Sequence, residues 1–212
     1  MNFLRSRKEL GRYNIKILCN LNILAAFIII LLTPALFSLK RLSYGEISRI
    51  GEMYLPILGV ILLTYIGRIE EENNVEQLIY IREVSNLFIF VIRLVLIMTL
   101  IFMMILGIIL IARLQGGIFS IWKVTFGIFI SSVYFGMIGL TVANITEKLS
   151  AGYLVSFSYF AFEFFTLGKY TKEFFVLSLI KGNFSNKYNI LILILMFLIL
   201  NFVMINRKGI KG

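Results

Sequence analysis

Residues 87–112 read LFIFVIRLVLIMTLIFMMILGIILIA, an apolar stretch in which Arg93 is the only charged residue. A bilayer core of about 30 Å is crossed by roughly 20 apolar residues in helical conformation. This stretch exceeds that length, so it predicts a transmembrane helix that tilts or extends beyond the hydrocarbon region. The fold is therefore predicted to depend on membrane spans rather than on the core of a soluble domain.

Five further apolar stretches predict spans of the same kind. Met53–Gly67 is the shortest of them and begins beside Pro56. The six predicted spans are Ile17–Leu39, Met53–Gly67, Leu87–Ala112, Ile118–Asn144, Ala151–Gly168 and Tyr188–Ile205. We therefore expect an all-α integral membrane protein with six transmembrane helices in a single transmembrane domain, residues 1–212.

The composition of the whole chain agrees with a membrane protein. Hydrophobic residues make up 59% of the 212 positions, and the mean hydropathy is +0.93. Soluble domains are closer to half apolar. The 21 Lys and Arg against 11 acidic residues give a net charge of +10, and the basic residues lie mostly between the apolar stretches. Such a distribution predicts membrane anchoring and topology determination, and not nucleic-acid binding.

The residue types that the chain lacks exclude most catalytic sites. The sequence contains no His and no Asp, and Cys19 is its only thiol. A zinc site, a Ser-His-Asp triad and a Cys-His pair all need residues from this set. We therefore predict no catalytic residue, no metal site and no enzymatic activity for this chain.

The distribution of Lys and Arg predicts the orientation. If the N-terminus is cytoplasmic, the inner segments carry more Lys and Arg than the outer ones, and six spans place both termini on that side. High Ile, Lys and Asn content is typical of an AT-rich bacterial genome, so we expect a bacterial plasma membrane. Residues 1–16 hold five basic residues, and the apolar residues among them, Phe3, Leu4, Leu10 and Tyr13, have a spacing that predicts an amphipathic helix on the inner surface. The alternative is a basic tail that only sets the topology.

The connection between the second and third spans, residues 68–85, holds five of the eleven acidic residues. Val75, Leu78 and Ile79 fall at helical spacing, so a short helix would present an apolar stripe beside an acidic face. A solvated surface explains most charge runs. An amphipathic helix at this place is also what a membrane subunit needs to receive force from a soluble partner.

Residues 70–93 resemble the corresponding connection of ABC-2 type permeases, the membrane subunits of bacterial ABC exporters. The residues that occupy places comparable to those of the family pattern are Glu71, Val75, Glu76, Leu78, Ile79, Ser85 and Arg93. Two positions depart from the pattern, since Val84 stands where Pro is usual and Arg93 where Lys is common. The apolar stretch Phe174–Ile180, in the outer loop of residues 169–187, resembles the re-entrant hairpin of the same family.

The resemblance implies a half-transporter that exports a hydrophobic or amphipathic substrate, such as a peptide or a lipid-like molecule. A second permease subunit, identical or different, would complete the pathway, and a separate ATPase subunit would bind ATP and Mg. The sequence agrees, because Gly168-Lys169 is followed by Tyr170 and forms no phosphate-binding loop. The residues implied to dock the ATPase are Glu70, Glu71, Glu72, Val75, Glu76, Leu78 and Ile79.

Two other classes of function remain open. One is a non-transporting six-span protein of the immunity or sensor type. The other is a secondary carrier, which is disfavoured because Glu163 is the only acidic residue expected in the membrane interior.

Glu163 is the most unusual residue within the predicted spans. A carboxylate inside a membrane needs a cavity or a cationic partner, and Lys123 is the nearest basic residue in predicted depth. We therefore predict a Lys123–Glu163 ion pair, either as a substrate or gating contact or as a structural pair. Arg93 is expected to extend towards the inner headgroups.

The fifth span carries an aromatic stripe at helical spacing, formed by Tyr153, Phe157, Phe160 and Phe164. Such a stripe either lines a substrate path or packs against lipid and neighbouring helices. The residues predicted to line the pathway are Phe157, Phe160, Glu163 and Phe164. In the fourth span, Ser132 and Gly136 repeat the small-residue spacing that lets helices approach closely.

Overall fold

The computed structural model describes residues 21–67 and 86–210. Within these ranges the chain is helical and forms no β-strand, apart from one isolated bridge between Ser43 and Ile118. The all-α prediction is confirmed for this part of the chain. The predicted interfacial helix, residues 1–16, and the predicted coupling segment, residues 68–85, lie outside the described residues.

Seven α-helices make up the described ranges, with two short 3₁₀ helices, Lys172–Phe174 and Ser178–Lys181, before the last one. In chain order the α-helices are α1 (Leu21–Leu36), α2 (Tyr44–Tyr54), α3 (Ile57–Ile66), α4 (Asn86–Leu114), α5 (Ile121–Thr146), α6 (Leu149–Thr166) and α7 (Asn186–Ile210). Within the described ranges, four segments are long and apolar enough to cross a membrane: Tyr44–Ile66, Leu87–Leu114, Ile121–Thr146 and Asn186–Asn206. These segments are compatible with a multi-pass membrane protein.

The second predicted span was placed too late in the sequence. The candidate span in the structure begins at Tyr44 and not at Met53, because α2 and α3 together form one segment of 23 residues, Tyr44–Ile66. Pro56 has no N–H to donate and interrupts the helix. The residue before it, Leu55, nevertheless keeps right-handed helical backbone angles. The chain therefore continues as a second helical stretch in the same candidate span.

Helix α5 lies at the centre of the bundle and packs against α3, α4, α6 and α7. Its contact with α3 is close because glycine lies on both sides. A Cβ atom built on Gly59 would lie 1.8 Å from the carbonyl oxygen of Ser132, and one on Gly136 would lie 2.4 Å from the carbonyl oxygen of Gly59. The predicted close helix approach at Ser132 and Gly136 is thus confirmed, with α3 as the partner.

The connections at one end of the bundle are joined to each other. The α1–α2 loop pairs with the α4–α5 loop, where the Ile118 N–H donates to Leu42 O at 2.9 Å. The α6–α7 connection lies at the same end, because Lys123 Nζ is 5.9 Å from the ring centre of Tyr44 and 5.8 Å from that of Phe184. We call this the loop end; the sequence predicts that it is the outer one.

The α6–α7 connection turns back into the bundle. Its turns are at Gly168 (φ +73°) and Gly182 (φ +72°), which both adopt the left-handed backbone conformation that glycine tolerates best. Between them Phe175, Val176, Leu177 and Leu179 are 0–2% exposed. We call residues 168–182 the fold-back segment.

Large apolar side chains cover much of the outside of the bundle. Leu31 of α1, Phe165 of α6 and Ile199 of α7 are 72%, 80% and 63% exposed. Soluble monomers rarely expose continuous apolar surfaces of this extent. Contact with lipid would remove this surface from water.

Candidate functional site

The candidate site is a cluster of buried charged and polar side chains near the loop end, built around Glu52 of α2. The helix begins with a capping box, in which the Ser43 hydroxyl accepts the Glu46 N–H and the Glu46 carboxylate accepts the Ser43 N–H at 2.8 Å. Glu52 lies about 12 Å along the helix axis from Tyr44, the first residue of α2, at 1.5 Å per residue. Its side chain is 0% exposed.

Lys187, in the first turn of α7, forms an ion pair with Glu52. Both side chains are 0% exposed. Lys187 Nζ also donates to Ser131 Oγ at 2.6 Å and to the carbonyl oxygen of Val176. The ammonium group therefore has three acceptors, on α2, on α5 and in the fold-back segment.

Both carboxylate oxygens of Glu52 have partners. Oε1 accepts from Lys187 and lies 3.1 Å from Ser131 Oγ. Oε2 accepts the backbone N–H of Ile180 at 3.1 Å. A buried charge is strongly destabilising unless it is paired and its remaining hydrogen-bonding capacity is used. This cluster meets both conditions, which explains how the bundle accommodates two charged groups.

Glu163 extends the cluster on the α6 side. Its carboxylate is fully buried and accepts the Tyr159 hydroxyl at 3.0 Å and the Thr171 hydroxyl at 3.3 Å. The cluster thus contains one buried ammonium group, which is paired with Glu52, and a second buried carboxyl group, that of Glu163, which is bonded to hydroxyl groups.

The predicted ion pair between Lys123 and Glu163 is wrong. Lys123 is exposed and lies beside the rings of Tyr44 and Phe184, whereas Glu163 is bonded to hydroxyl groups. Sequence position gives the approximate depth of a residue along its helix. It does not give the rotation of that helix, and the rotation turns Lys123 to the surface.

The aromatic stripe of α6 divides between two environments. Phe160 packs edge-on against Phe135 of α5 with ring centres 5.2 Å apart, and Phe164 lies 6.3 Å from Phe160. Phe157 is 39% exposed. The structure therefore packs Phe160 against α5, with Phe164 beside it, and places Phe157 towards the outer surface.

The other predicted residues have different outcomes. Arg93, which was predicted to extend towards the inner headgroups, is 2% exposed and is therefore buried among other residues of the chain. The predicted ATPase-docking residues, Glu70, Glu71, Glu72, Val75, Glu76, Leu78 and Ile79, lie outside the described residues.

Glu52 and Lys187 were not identified as site residues from the sequence. Both fall in stretches that hydropathy alone assigns to loops, because each lies close to the end of an apolar run. The capping box was a usable signal: Ser43 followed by Glu46 marks a helix start. A helix beginning there places Glu52 inside the second span.

A second polar cluster lies on α5 and α7 at the opposite end of the bundle. Asn144 Nδ2 donates to Asn201 Oδ1 at 2.7 Å, and Asn201 Nδ2 donates to Thr141 Oγ1 at 2.8 Å. Asn201 is 14 positions after Lys187, or about 21 Å along the helix. Helix α7 is therefore fixed to α5 by polar contacts near both ends.

Comparison with models of protein families, with curated proteins and with solved structures gave no match.

Proposed function

We propose that the chain is the membrane-spanning permease subunit of an ATP-driven exporter of the ABC-2 type. In this proposal α1 and α6 complete a set of six spans with the four segments that meet the length and hydropathy requirements. Both termini are cytoplasmic, and the loop end faces outward. A second permease subunit and a separate ATPase complete the transporter.

The fold-back segment is the observation that best supports this proposal. The sequence resemblance implies a re-entrant hairpin between the fifth and sixth spans. The residues that connect α6 to α7 in the chain enter the bundle, and Val176, Leu177 and Leu179 among them are fully buried. Gly127 of α5 allows this close approach, because a Cβ atom there would lie 2.4 Å from the Leu179 side chain. Loops that simply connect two spans do not usually bury their side chains in this way.

The Glu163 region supports a role in substrate contact. Phe160 and Phe164 lie within one helical turn of the buried Glu163 on α6, and Phe157 lies on the exposed side of the same helix. A hydrophobic or amphipathic substrate would fit such a combination of apolar and polar groups. We therefore assign Phe157, Phe160, Glu163 and Phe164 to the proposed pathway.

The proposed ATPase contact is the segment from Glu70 to Ile81. Val75, Leu78 and Ile79 would fill an apolar groove on the ATPase, while Glu70, Glu71, Glu72 and Glu76 would meet basic residues at its rim. Buried apolar groups contribute most to such contacts, and rim charges mainly steer association. The α5–α6 connection is too short for this role, since α5 ends at Thr146 and α6 begins at Leu149.

The test is co-purification of the chain from native membranes. The proposal predicts that the wild-type chain brings down a chain with vanadate-sensitive ATPase activity, that Leu78→Asp abolishes this association, and that Leu78→Met, the matched control, preserves it. Glu72→Lys should weaken the association mainly at low salt, because exposed charges are screened at high salt. If no ATPase accompanies the wild-type chain, the non-transporting alternative is favoured.

A further inference from the structure

The Glu52–Lys187 pair does more than neutralise two buried charges, because each partner also binds a backbone group of the fold-back segment. Lys187 Nζ donates to the carbonyl oxygen of Val176. Glu52 Oε2 accepts the N–H of Ile180 at 3.1 Å, and the same N–H lies 3.3 Å from the carbonyl oxygen of Leu177. The pair thus contacts both ends of a five-residue stretch of non-helical and 3₁₀ backbone.

Irregular backbone at membrane depth is stable only where the protein satisfies its polar groups. In the fold-back segment these groups cannot all pair within a regular helix. The carbonyl of Val176 points to Lys187 and to Ser131 Oγ, which lies 3.1 Å away. Side chains from α7 and α5 therefore replace the bonds that a helix would make.

The segment is also held by apolar packing, but its shape alone does not fix its position. Leu179 contacts α5 over Gly127, and Phe175 lies against Gly168, where a Cβ atom would be 2.4 Å from the ring. Glycines in the left-handed backbone conformation form the turns at both ends of the segment. Polar contacts also hold the start of the segment, where Thr171 donates to Glu163 of α6 and the Lys172 carbonyl accepts from Asn186 of α7. The contacts at Val176 and Ile180 join its buried part to α2, α5 and α7.

We propose that the Glu52–Lys187 pair is a clip that keeps the fold-back segment closed in the bundle by capping its backbone at Val176 and Ile180. Breaking the pair releases the segment at the loop end, while the helices remain packed. The clip has a direction, because the lysine must face a carbonyl and the glutamate must face an N–H. A reversed pair would keep the charge attraction and lose both backbone contacts.

This inference is independent of the proposed function and is tested without ATPase or transport. The protein is purified in detergent in a Cys19→Ser background, which removes the only native thiol. A reporter cysteine replaces Leu177, which is 0% exposed. Its reaction rate with a water-soluble maleimide is compared with that of a cysteine at Ile105, a buried position in α4, and with that of one at the exposed Ser185.

In the native background Leu177→Cys should react slowly and Ser185→Cys rapidly. Adding Lys187→Met should raise the rate at Leu177→Cys at least about tenfold, because the carbonyl and carboxylate lose their buried partner. Ile105→Cys should remain protected. An unchanged rate at position 177 would show that apolar packing alone closes the segment. If Lys187→Met raised the reaction rate of Ile105→Cys as much as that of Leu177→Cys, the pair would support the whole bundle. Either of these two results would overturn the proposal.

The reversed pair, Glu52→Lys with Lys187→Glu, separates the clip from a simple ion pair. We expect the reporter at position 177 to remain reactive in this double variant, and restored protection would overturn the directional clip. Hydrogen exchange of the unmodified protein gives a second measurement that needs no destabilising variant. Residues 176–180 should exchange as slowly as the centre of α5, and exchange as fast as at residues 183–185 would contradict a closed segment.

Discussion

Glu52 and Lys187 lie 135 positions apart in the sequence and form an ion pair in which neither side chain is exposed. The pair joins α2 to the start of α7, and through Ser131 it also contacts α5. It is therefore a long-range contact that fixes the relative position of helices from both halves of the chain. The cost of burying two charges is offset only in the complete bundle.

The first prediction concerns the stability of this pair. Lys187→Met should lower the free energy of unfolding by about 3 kcal/mol, because Glu52 is left as an unpaired buried carboxylate. Reversible unfolding in mixed detergent micelles measures this change. Lys40→Met, at an exposed lysine of the α1–α2 loop, is the control and should change stability by less than about 0.5 kcal/mol. Equal effects of the two substitutions would contradict the buried pair.

The second prediction concerns the contact between α3 and α5. Gly59→Ala should destabilise the bundle by about 2 kcal/mol or more, because the new Cβ atom would lie 1.8 Å from the carbonyl oxygen of Ser132 and the helices must separate. Gly107→Ala is the matched control, since nothing lies within 4 Å of its added Cβ atom. That change should be neutral or stabilise α4 by up to about 1 kcal/mol. Thermal unfolding of the two variants in the same detergent compares them directly.

The third prediction concerns the polar cluster between α5 and α7. Asn201→Leu should reduce stability by about 1 kcal/mol, the size typical of hydrogen bonds between helices in membranes. Asn144 and Thr141 lose their bonds to the amide of Asn201 in this variant. Asn206→Leu, at an exposed position of the same helix, should have little effect. A loss as large as that of Lys187→Met would mean that the amide cluster contributes more than its contacts indicate.

The fourth prediction tests the assigned role of Glu163 and depends on the proposed function. Glu163→Gln retains an acceptor for the hydroxyls of Tyr159 and Thr171, so the variant should accumulate in membranes at close to the normal level. Export of the substrate should fall more than abundance does, because the carboxyl group itself is lost. Export rate divided by membrane abundance is the measured quantity. Full export in this variant would leave Glu163 with a structural role only.

The fifth prediction is topological. A cysteine introduced at Ser185, beside the loop end, should react with an impermeant reagent added to intact cells. A cysteine at Asn74 should react only after the membrane is opened, because residues 68–85 are predicted to be cytoplasmic. Both variants carry Cys19→Ser, so that the introduced thiol alone is labelled. The reverse labelling pattern would invert the proposed orientation.

Hydropathy predicted the helical fold and the approximate positions of the long apolar helices, because a run of about 20 apolar residues has few stable alternatives to a spanning helix. The predicted spans Leu87–Ala112 and Ile118–Asn144 agree with α4 and α5 to within a few residues. The candidate span Tyr44–Ile66, whose start the prediction placed too late, contains three charged residues, Glu46, Arg49 and Glu52, in its first half. The mean hydropathy of a sequence window counts every charged residue as unfavourable for a span. It therefore does not identify a charged residue that pairs with a distant residue in the folded chain.

The sequence by itself therefore determined the class of protein, its helices and the requirement that Glu163 must have polar partners. It did not determine which partners these were. The tertiary structure alone decided that Tyr159 and Thr171 bind Glu163, that Lys187 binds Glu52, and that Lys123 lies at the surface. The physical reason is that helix formation depends on local sequence, whereas charge pairing depends on the rotation and depth of each helix, which are fixed only when the whole bundle packs.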